Sequence, residues 1–245
     1  MHVLAINGSP RKTAGATYKM LDTLLAGMQQ AQAQTEIIHL ADYKIEHCRG
    51  CFACWTKTPG QCIIKDDMEG LLQKFITADL VIFGTPLYFF SVTGLMKNFM
   101  DRLLPTADPF LVESKKTPKL TAHASRYDKP KKMLLVSPCG FPEIEHFAGL
   151  VETFRCWSRI TEIEYLGEIL RPAGGPLIQD HALLKLLLIP YFHRLKKAGK
   201  QIIEQGHIDD DLKKSLEKDL IPGGVKKYRE QANKYFAKEI LNSKS

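Results

Sequence analysis

No apolar run in this chain is long enough to cross a bilayer. The longest, Ala182 to Ile189, is interrupted by Lys185 and stopped by Pro190, whereas a spanning helix needs about 20 apolar residues. Cysteine is scarce, at six in 245 residues, too few for the disulfide framework of a small secreted domain. At the start, Met1 runs straight into Val3-Leu4-Ala5-Ile6, which is too short for the apolar core of a signal peptide. The expected compartment is therefore the cytoplasm, with thiols reduced or metal-bound. Residues Gly8–Gly15 lack the Lys-Ser/Thr of a Walker A loop, and no G-x-G-x-x-G occurs. These two absences argue against NTP hydrolysis and against a tightly held dinucleotide. No His-Glu-x-x-His is present, so the eight histidines are given no metal role. No internal repeat or low-complexity tract interrupts the chain, and 44% hydrophobic with 25% charged residues excludes a disordered polymer.

Charge is uneven. The net charge is +7: residues 113–132 and 175–245 each carry +5, residues 133–174 carry −3, and residues 1–112 are balanced. A basic surface alone would suit nucleic acid, but no base-stacking or groove-reading motif accompanies it, so neither a nucleic-acid nor a membrane partner is expected. The field favours anionic cofactors and substrates instead.

Strand and helix patterns alternate. Short apolar runs at Val3–Asn7, Glu36–Leu40, Leu80–Gly84, Lys132–Ser137 and Tyr165–Leu170 read as strands. Helical spacing marks Ala16–Gln32, a segment opened by Asp66-Asp67 and running to Thr77, Gly94–Leu104 and Glu143–Ile160. Five strands with intervening helices predict an α/β fold with a doubly wound, five-stranded parallel sheet over residues 1–171. Residues 172–245 read as an appended helical extension of the same domain, broken at Pro190, Gly206 and Pro222-Gly223-Gly224. Residues 41–65 and 105–130 read as long irregular loops; the second, rich in Pro and Lys, has no evident role. The Leu-rich stretch 182–189 suits a core or a subunit interface.

Two loops leave strand ends with chemistry of their own. Gly8-Ser9-Pro10-Arg11-Lys12-Thr13-Ala14-Gly15-Ala16-Thr17 joins the first strand to a helix. Its hydroxyls, its two cations and the free N–H groups of the helix start suit a phosphate monoester; a polar turn capping the helix is the alternative. Gly84-Thr85-Pro86-Leu87-Tyr88-Phe89-Phe90-Ser91-Val92-Thr93-Gly94 follows the third strand. Three consecutive aromatics between Pro and Gly are suited to flank a flat heteroaromatic ring; burial under the C-terminal helices is the alternative.

Together, Gly8-Ser9-Pro10-Arg11-Lys12 with Gly15 and Thr17, and Thr85-Pro86-Leu87-Tyr88-Phe89 with Gly94, Lys97 and Asp101-Arg102, resemble the NADPH-dependent FMN reductase family of flavodoxin-like proteins, over about residues 1–170. The resemblance implies bound FMN, its phosphate held by Ser9, Arg11, Lys12 and Thr17. It places Pro86, Leu87, Tyr88 and Phe89 along the isoalloxazine, and Ser137 and Gly140 of the loop Ser137-Pro138-Cys139-Gly140-Phe141 on the other side of the ring. The chain departs from the family pattern at Ala16, where relatives commonly carry Asn, so one phosphate contact is expected to be missing. Tyr88 is the one nearby candidate proton donor; hydride transfer itself is the flavin's chemistry.

Cys48, Cys51 and Cys54 stand in C-x2-C-x2-C spacing, followed by Cys62 after seven residues. Such spacing can gather thiolates round one centre. It resembles the iron–sulfur flavoprotein branch of the same family, which implies a [4Fe–4S] cluster, but Trp55 after the third Cys also fits clusterless flavoreductases. A cluster, a zinc ion and free thiols all remain open. Cys156, in a helical pattern with apolar neighbours, reads as a buried packing thiol, and Cys139 as either a flavin-side or a small core residue.

The expected function is an NAD(P)H-dependent oxidoreductase that passes hydride through FMN to a quinone, flavin, nitro or azo acceptor. A non-enzymatic carrier with FMN and [4Fe–4S], docking on ferredoxin-like proteins, is the rival. A homodimer or tetramer is expected from the apolar surface of the aromatic loop and the C-terminal helices.

Overall fold

The computed structural model describes residues 1–128, 130–220 and 223–243. Seven strands occur among them: β1 (His2–Asn7), β2 (Gln34–His39), β3 (Leu80–Gly84), β4 (Ala107–Glu113), β5 (Thr121–Ser125), β6 (Lys132–Pro138) and β7 (Glu164–Arg171). The helices are α1 (Ala16–Gln30), α2 (Ala53–Thr56), α3 (Met68–Thr77), α4 (Gly94–Asp101), α5 (Ala148–Ile160), α6 (Ala182–Gln205), α7 (Asp210–Glu217) and α8 (Gly224–Asn242). Five strands form one parallel sheet in the order β2-β1-β3-β6-β7. This is the flavodoxin-like order, whose direction of winding reverses between β1 and β3.

Burial explains the layers. Every residue of β3, and Val3–Asn7 of β1, is buried, as a parallel sheet covered on both faces requires. The two-residue period splits these strands. Leu4, Ile6, Val81 and Phe83 face Phe75 of α3, Phe99 of α4 and Phe154 of α5. Val3, Ala5, Leu80 and Ile82 face Leu21 and Leu24 of α1, Leu195 of α6 and Leu212 of α7. The C-terminal helices α6 and α7 thus complete one whole layer.

Two contacts fix that layer. A Cβ on Gly27 of α1 would lie 1.9 Å from the Lys196 carbonyl oxygen, and one on Gly199 of α6 would lie 2.1 Å from the Leu24 carbonyl oxygen. Only glycine lets these backbones approach so closely. Arg171, 1% exposed at the end of β7, donates to the carbonyls of Leu216 (2.7 Å), Glu217 (3.1 Å) and Lys218 (2.9 Å). It thereby caps the C-terminus of α7.

Several expectations are corrected. Residues 105–130 are not an irregular loop: β4 and β5 pair there as an antiparallel hairpin. The hairpin lacks a clean apolar alternation, and its Phe110, Leu111 and Val112 all stay exposed. Pro190 does not break the chain, because α6 runs through it. The N–H that proline lacks would have bonded the Leu186 carbonyl, and Leu186 is 63% exposed, so water can satisfy that carbonyl. Cys156 is exposed, because the buried stripe of α5 is Leu150, Val151 and Phe154. The helix expected from Glu143 begins as a 3-10 turn at Ile144–Phe147 and becomes α5 at Ala148. Gly206 does end α6, at φ +81°. Pro222 lies outside the described residues.

Substituting Gly199→Ala should destabilise the fold by about 2–3 kcal/mol through overpacking. Differential scanning calorimetry should show Tm lowered by roughly 5–10 °C.

Candidate functional site

The carboxyl ends of β1, β3 and β6 open at one edge of the sheet, where ligands of open α/β folds bind. At β1 the buried Asn7 orders the turn, its Oδ1 accepting from Ser9 N–H at 3.0 Å. Ser9 Oγ in turn accepts from Arg11 N–H at 3.3 Å. A Cβ on Gly15 would stand 2.7 Å from Ser9 Oγ, so this glycine keeps the loop closed over a small cradle. Gly15 is also the N-cap of α1 and supplies no side-chain cap, which leaves the first-turn N–H groups of α1 without a capping side chain. Lys12 sits at φ +47° and pairs with Asp42. Arg11 is exposed, while Thr17 is buried. Backbone donors, a hydroxyl and a free guanidinium around a cradle that a single Cβ would fill are what an FMN phosphate needs.

The aromatic loop after β3 is tied down at both ends. Thr93 Oγ1 donates to the Gly8 carbonyl at 2.7 Å and accepts from Met96 N–H at 3.2 Å, capping α4. Leu87 N–H donates to the Pro138 carbonyl at 2.9 Å. Between these ties Tyr88 and Ser91 exchange two 3.0 Å backbone hydrogen bonds, across a tip with Phe89 at φ +49° and Phe90 at φ +63°. Such a conformation is costly for aromatic residues. Tyr88 is 47%, Phe89 99% and Phe90 51% exposed. The loop is therefore not buried under the C-terminal helices. Pro86 and Leu87 are half-buried beside it.

The third loop approaches from β6. Ser137 is buried, and its Oγ has no hydrogen-bond partner; Gly140 is exposed. Cys139 is buried, and that burial pushes its thiol up to about 11. His146 lies against Phe141 (4.4 Å between centroids) and Phe90 (5.9 Å), so the second and third loops meet. Tyr228 of α8 donates to the Gly140 carbonyl at 2.8 Å, and Arg229 pairs with Glu143.

The cysteine segment runs across α4. Cys48, Cys51, Cys54 and Cys62 line one small cavity with Asp101 and Arg102. Burial and then the neighbouring Cys62 push the Cys54 thiol up, with Cys51 and Cys48 adding to this. Among the described residues no three ligating side chains stand in metal-binding geometry. A buried ion pair anchors the segment: Arg102 (2% exposed side chain) donates to Asp66 (1%) at 2.7 and 2.9 Å, and to the Glu46 carbonyl at 2.7 Å. Burial alone would raise the Asp66 carboxyl, but the Arg102 hydrogen bonds and the N–H groups of Glu46 and Met68 outweigh it and hold the carboxyl below its ordinary value.

The family model of NADPH-dependent FMN reductases matches residues 1–117. Over that segment the chain is similar to this family. An iron–sulfur flavoprotein of Archaeoglobus fulgidus is 44% identical over 102 residues, 42% of this chain and 48% of that protein. One from Methanocaldococcus jannaschii is 36% identical over 126 residues, 51% of this chain and 64% of that protein. The chain spans about half the length of the first curated relatives it matches. A solved FMN-dependent NADH-azoreductase of Bacillus anthracis, in complex with FMN, superposes with TM-score 0.58 at 16% identity, covering 83% of this chain and 99% of that one. The likeness to that azoreductase is one of fold.

Asn7, Asp42, Thr93 and His146 carry no site role on sequence grounds. The first and third were detectable: an Asn before Gly-Ser-Pro favours a side-chain-ordered turn, and Thr93-Gly94 is a helix start. Asp42 and His146 reach the site only through tertiary packing.

Because Asp66 is held below its ordinary value, its contribution to stability is complete above the unfolded-state pKa of about 3.9 and is lost as pH falls through the folded value. Asp66→Asn should destabilise by about 3–5 kcal/mol at neutral pH by leaving Arg102 buried and unpaired. It should also flatten this acid limb of a urea-stability profile.

Proposed function

We propose that the protein is an FMN-dependent NAD(P)H oxidoreductase that delivers reducing equivalents to a small acceptor, in the class of quinones, flavins, nitro or azo compounds. The observation that carries this reading is the convergence of the cradle at Ser9–Gly15 with an exposed aromatic tip at one sheet edge. Ser9, Arg11, Lys12 and Thr17, with the first turn of α1, hold the phosphate. Pro86, Leu87, Tyr88 and Phe89 lie along one side of the ring, and Ser137 and Gly140 approach the other. FMN supplies the two-electron chemistry when bound. The chain itself orients the ring, leaves one face open to a nicotinamide and then to the acceptor, and presents Tyr88 as the candidate proton donor. Residues 172–245 act as an extension of the same domain. The reading includes a homodimer, or a tetramer of dimers, because the aromatic loop and the C-terminal helices both expose large apolar side chains, Phe89 and Phe90 on the one and Leu183, Leu186 and Ile189 on the other.

A second reading, an electron carrier holding FMN and [4Fe–4S] and docking on ferredoxin-like partners, is favoured by the four cysteines round one cavity and by the names of the matched relatives. Their donor set suits the cluster once Cys48 and Cys51, both exposed, close on Cys54 and Cys62.

The double change Ser9→Ala with Arg11→Ala should weaken FMN by about 2–4 kcal/mol, so that flavin is lost on desalting while the circular dichroism spectrum is kept. Stoichiometric FMN in that variant contradicts the phosphate assignment. Anaerobically, NADPH should bleach the wild-type flavin; indifference to NADPH with reduction by ferredoxin selects the carrier. Iron and sulfide at about four each per chain, abolished by Cys51→Ala with FMN retained, is the expected signature of the cluster. Protein prepared without oxygen and free of iron leaves the thiols free.

A further inference from the structure

A sizeable hollow lies away from the flavin edge. It is a cleft of about 430 Å³ roofed by the β4–β5 hairpin. Lys131 and Ile163, which directly precede β6 and β7, line it, so it opens at the amino ends of these strands. A two-stranded hairpin has little stability alone, and here it is fastened at both ends. Near its tip, Ser114 Oγ donates to the Arg159 carbonyl at 2.6 Å and Lys115 pairs with Glu162 at 2.6 Å. At its base, Arg126 closes the two ends on each other through the Thr106 (2.8 Å) and Ala107 (3.0 Å) carbonyls, and Trp55 Nε1 donates to the Leu104 carbonyl at 3.0 Å. The middle of the strap spans the hollow.

The lining defines a ligand. Phe75, Trp157, Ile160 and Ile163 form apolar walls, and Trp157 is held in place by packing on Phe83 at 5.3 Å. Ionised groups come near to balance, with two lysines against three carboxylates, so the cleft selects neither an anion nor a cation. His123 of β5 supplies the polar contact. Its ring rests on Trp55 at 4.7 Å, and its Nδ1 is enclosed without a partner. An enclosed ring nitrogen without a partner costs less as an acceptor than as an N–H donor, so the tautomer that fits carries its proton on Nε2. The imidazole thus offers the cleft a donor, and the matching ligand group is an acceptor. The volume falls within the range of small-molecule sites, roughly 300–1,000 Å³.

We propose that this cleft is a second binding site, taking a neutral, flat aromatic compound that carries a carbonyl, with its ring against Trp157 and its oxygen at His123. The site is independent of FMN. It also gives residues 105–130 a role, because the hairpin they form is the roof.

The chain has two tryptophans. One lines the cleft and the other carries His123, so indole fluorescence reports the site directly. With 9-fluorenone as the probe, the protein as purified should show saturable one-to-one quenching. Ile160→Glu, which places a charge in the wall at a 42% exposed position, should weaken binding about tenfold or more, a difference of roughly 1.4 kcal/mol. His123→Phe should weaken it about two- to tenfold through loss of one hydrogen bond. The anionic 9-fluorenone-2-carboxylate should bind less well than fluorenone, and Phe89→Ala at the flavin edge should leave the fluorenone curve unchanged. Absence of saturable quenching overturns the proposal. So does quenching that is indifferent to both Ile160→Glu and His123→Phe, or that is lost in Phe89→Ala. Because each readout is made on the indoles, failure of FMN binding would leave this test intact.

Discussion

The central strands tolerate no water on either face, and the other elements are arranged around that demand. With Val3–Asn7 and all of β3 buried, each face of the sheet must carry a packed helical layer. One layer comes from α3, α4 and α5. The other needs α6 and α7 from the far end of the chain, brought to α1 through Gly27 and Gly199 and held at the edge by Arg171. Since both faces are occupied, the strand ends are left for chemistry.

At the carboxyl edge, local strain gathers where the backbone must turn sharply. Lys12, Phe89, Phe90 and Ala173 all have positive φ and all lie in loops leaving that edge. The loops hold one another: Thr93 bonds Gly8, Leu87 bonds Pro138, and Ala173 N–H donates to the Phe141 carbonyl at 2.7 Å. Such mutual ties can maintain conformations that the residues would not adopt alone. They give the edge a preformed shape, and preorganisation is what lets a modest set of contacts hold a cofactor.

Much of this was legible in the sequence because it rests on local rules. The five sheet strands follow from apolar runs closed by Gly, Pro or charged residues; Leu80–Gly84 has the observed limits to the residue. The cradle at Ser9–Gly15 was legible as a glycine-bounded polar turn before a helix, and the aromatic tip as three rings that no core could absorb. The hairpin was hidden because its pairing is stabilised by distant groups, Arg159, Glu162 and Trp55, and not by a pattern of its own. Pro190 misled because the loss of one helical hydrogen bond is cheap where the freed carbonyl meets solvent. Cys156 misled because apolar neighbours in sequence do not lie on the same helical face. The buried pair of Arg102 and Asp66, which decides where the cysteine segment lies, is separated by 36 positions and leaves no local trace.

The central claim is that the loops at the carboxyl ends of β1, β3 and β6 are the FMN site. Hydrogen-exchange mass spectrometry of the flavin-free protein with and without FMN tests it most directly. The account predicts slower exchange of backbone N–H groups in residues 8–17, 85–91 and 139–141, and no change in the 107–125 hairpin. Protection confined to the hairpin, or FMN binding that leaves residues 8–17 exchanging at their free rate, would contradict it.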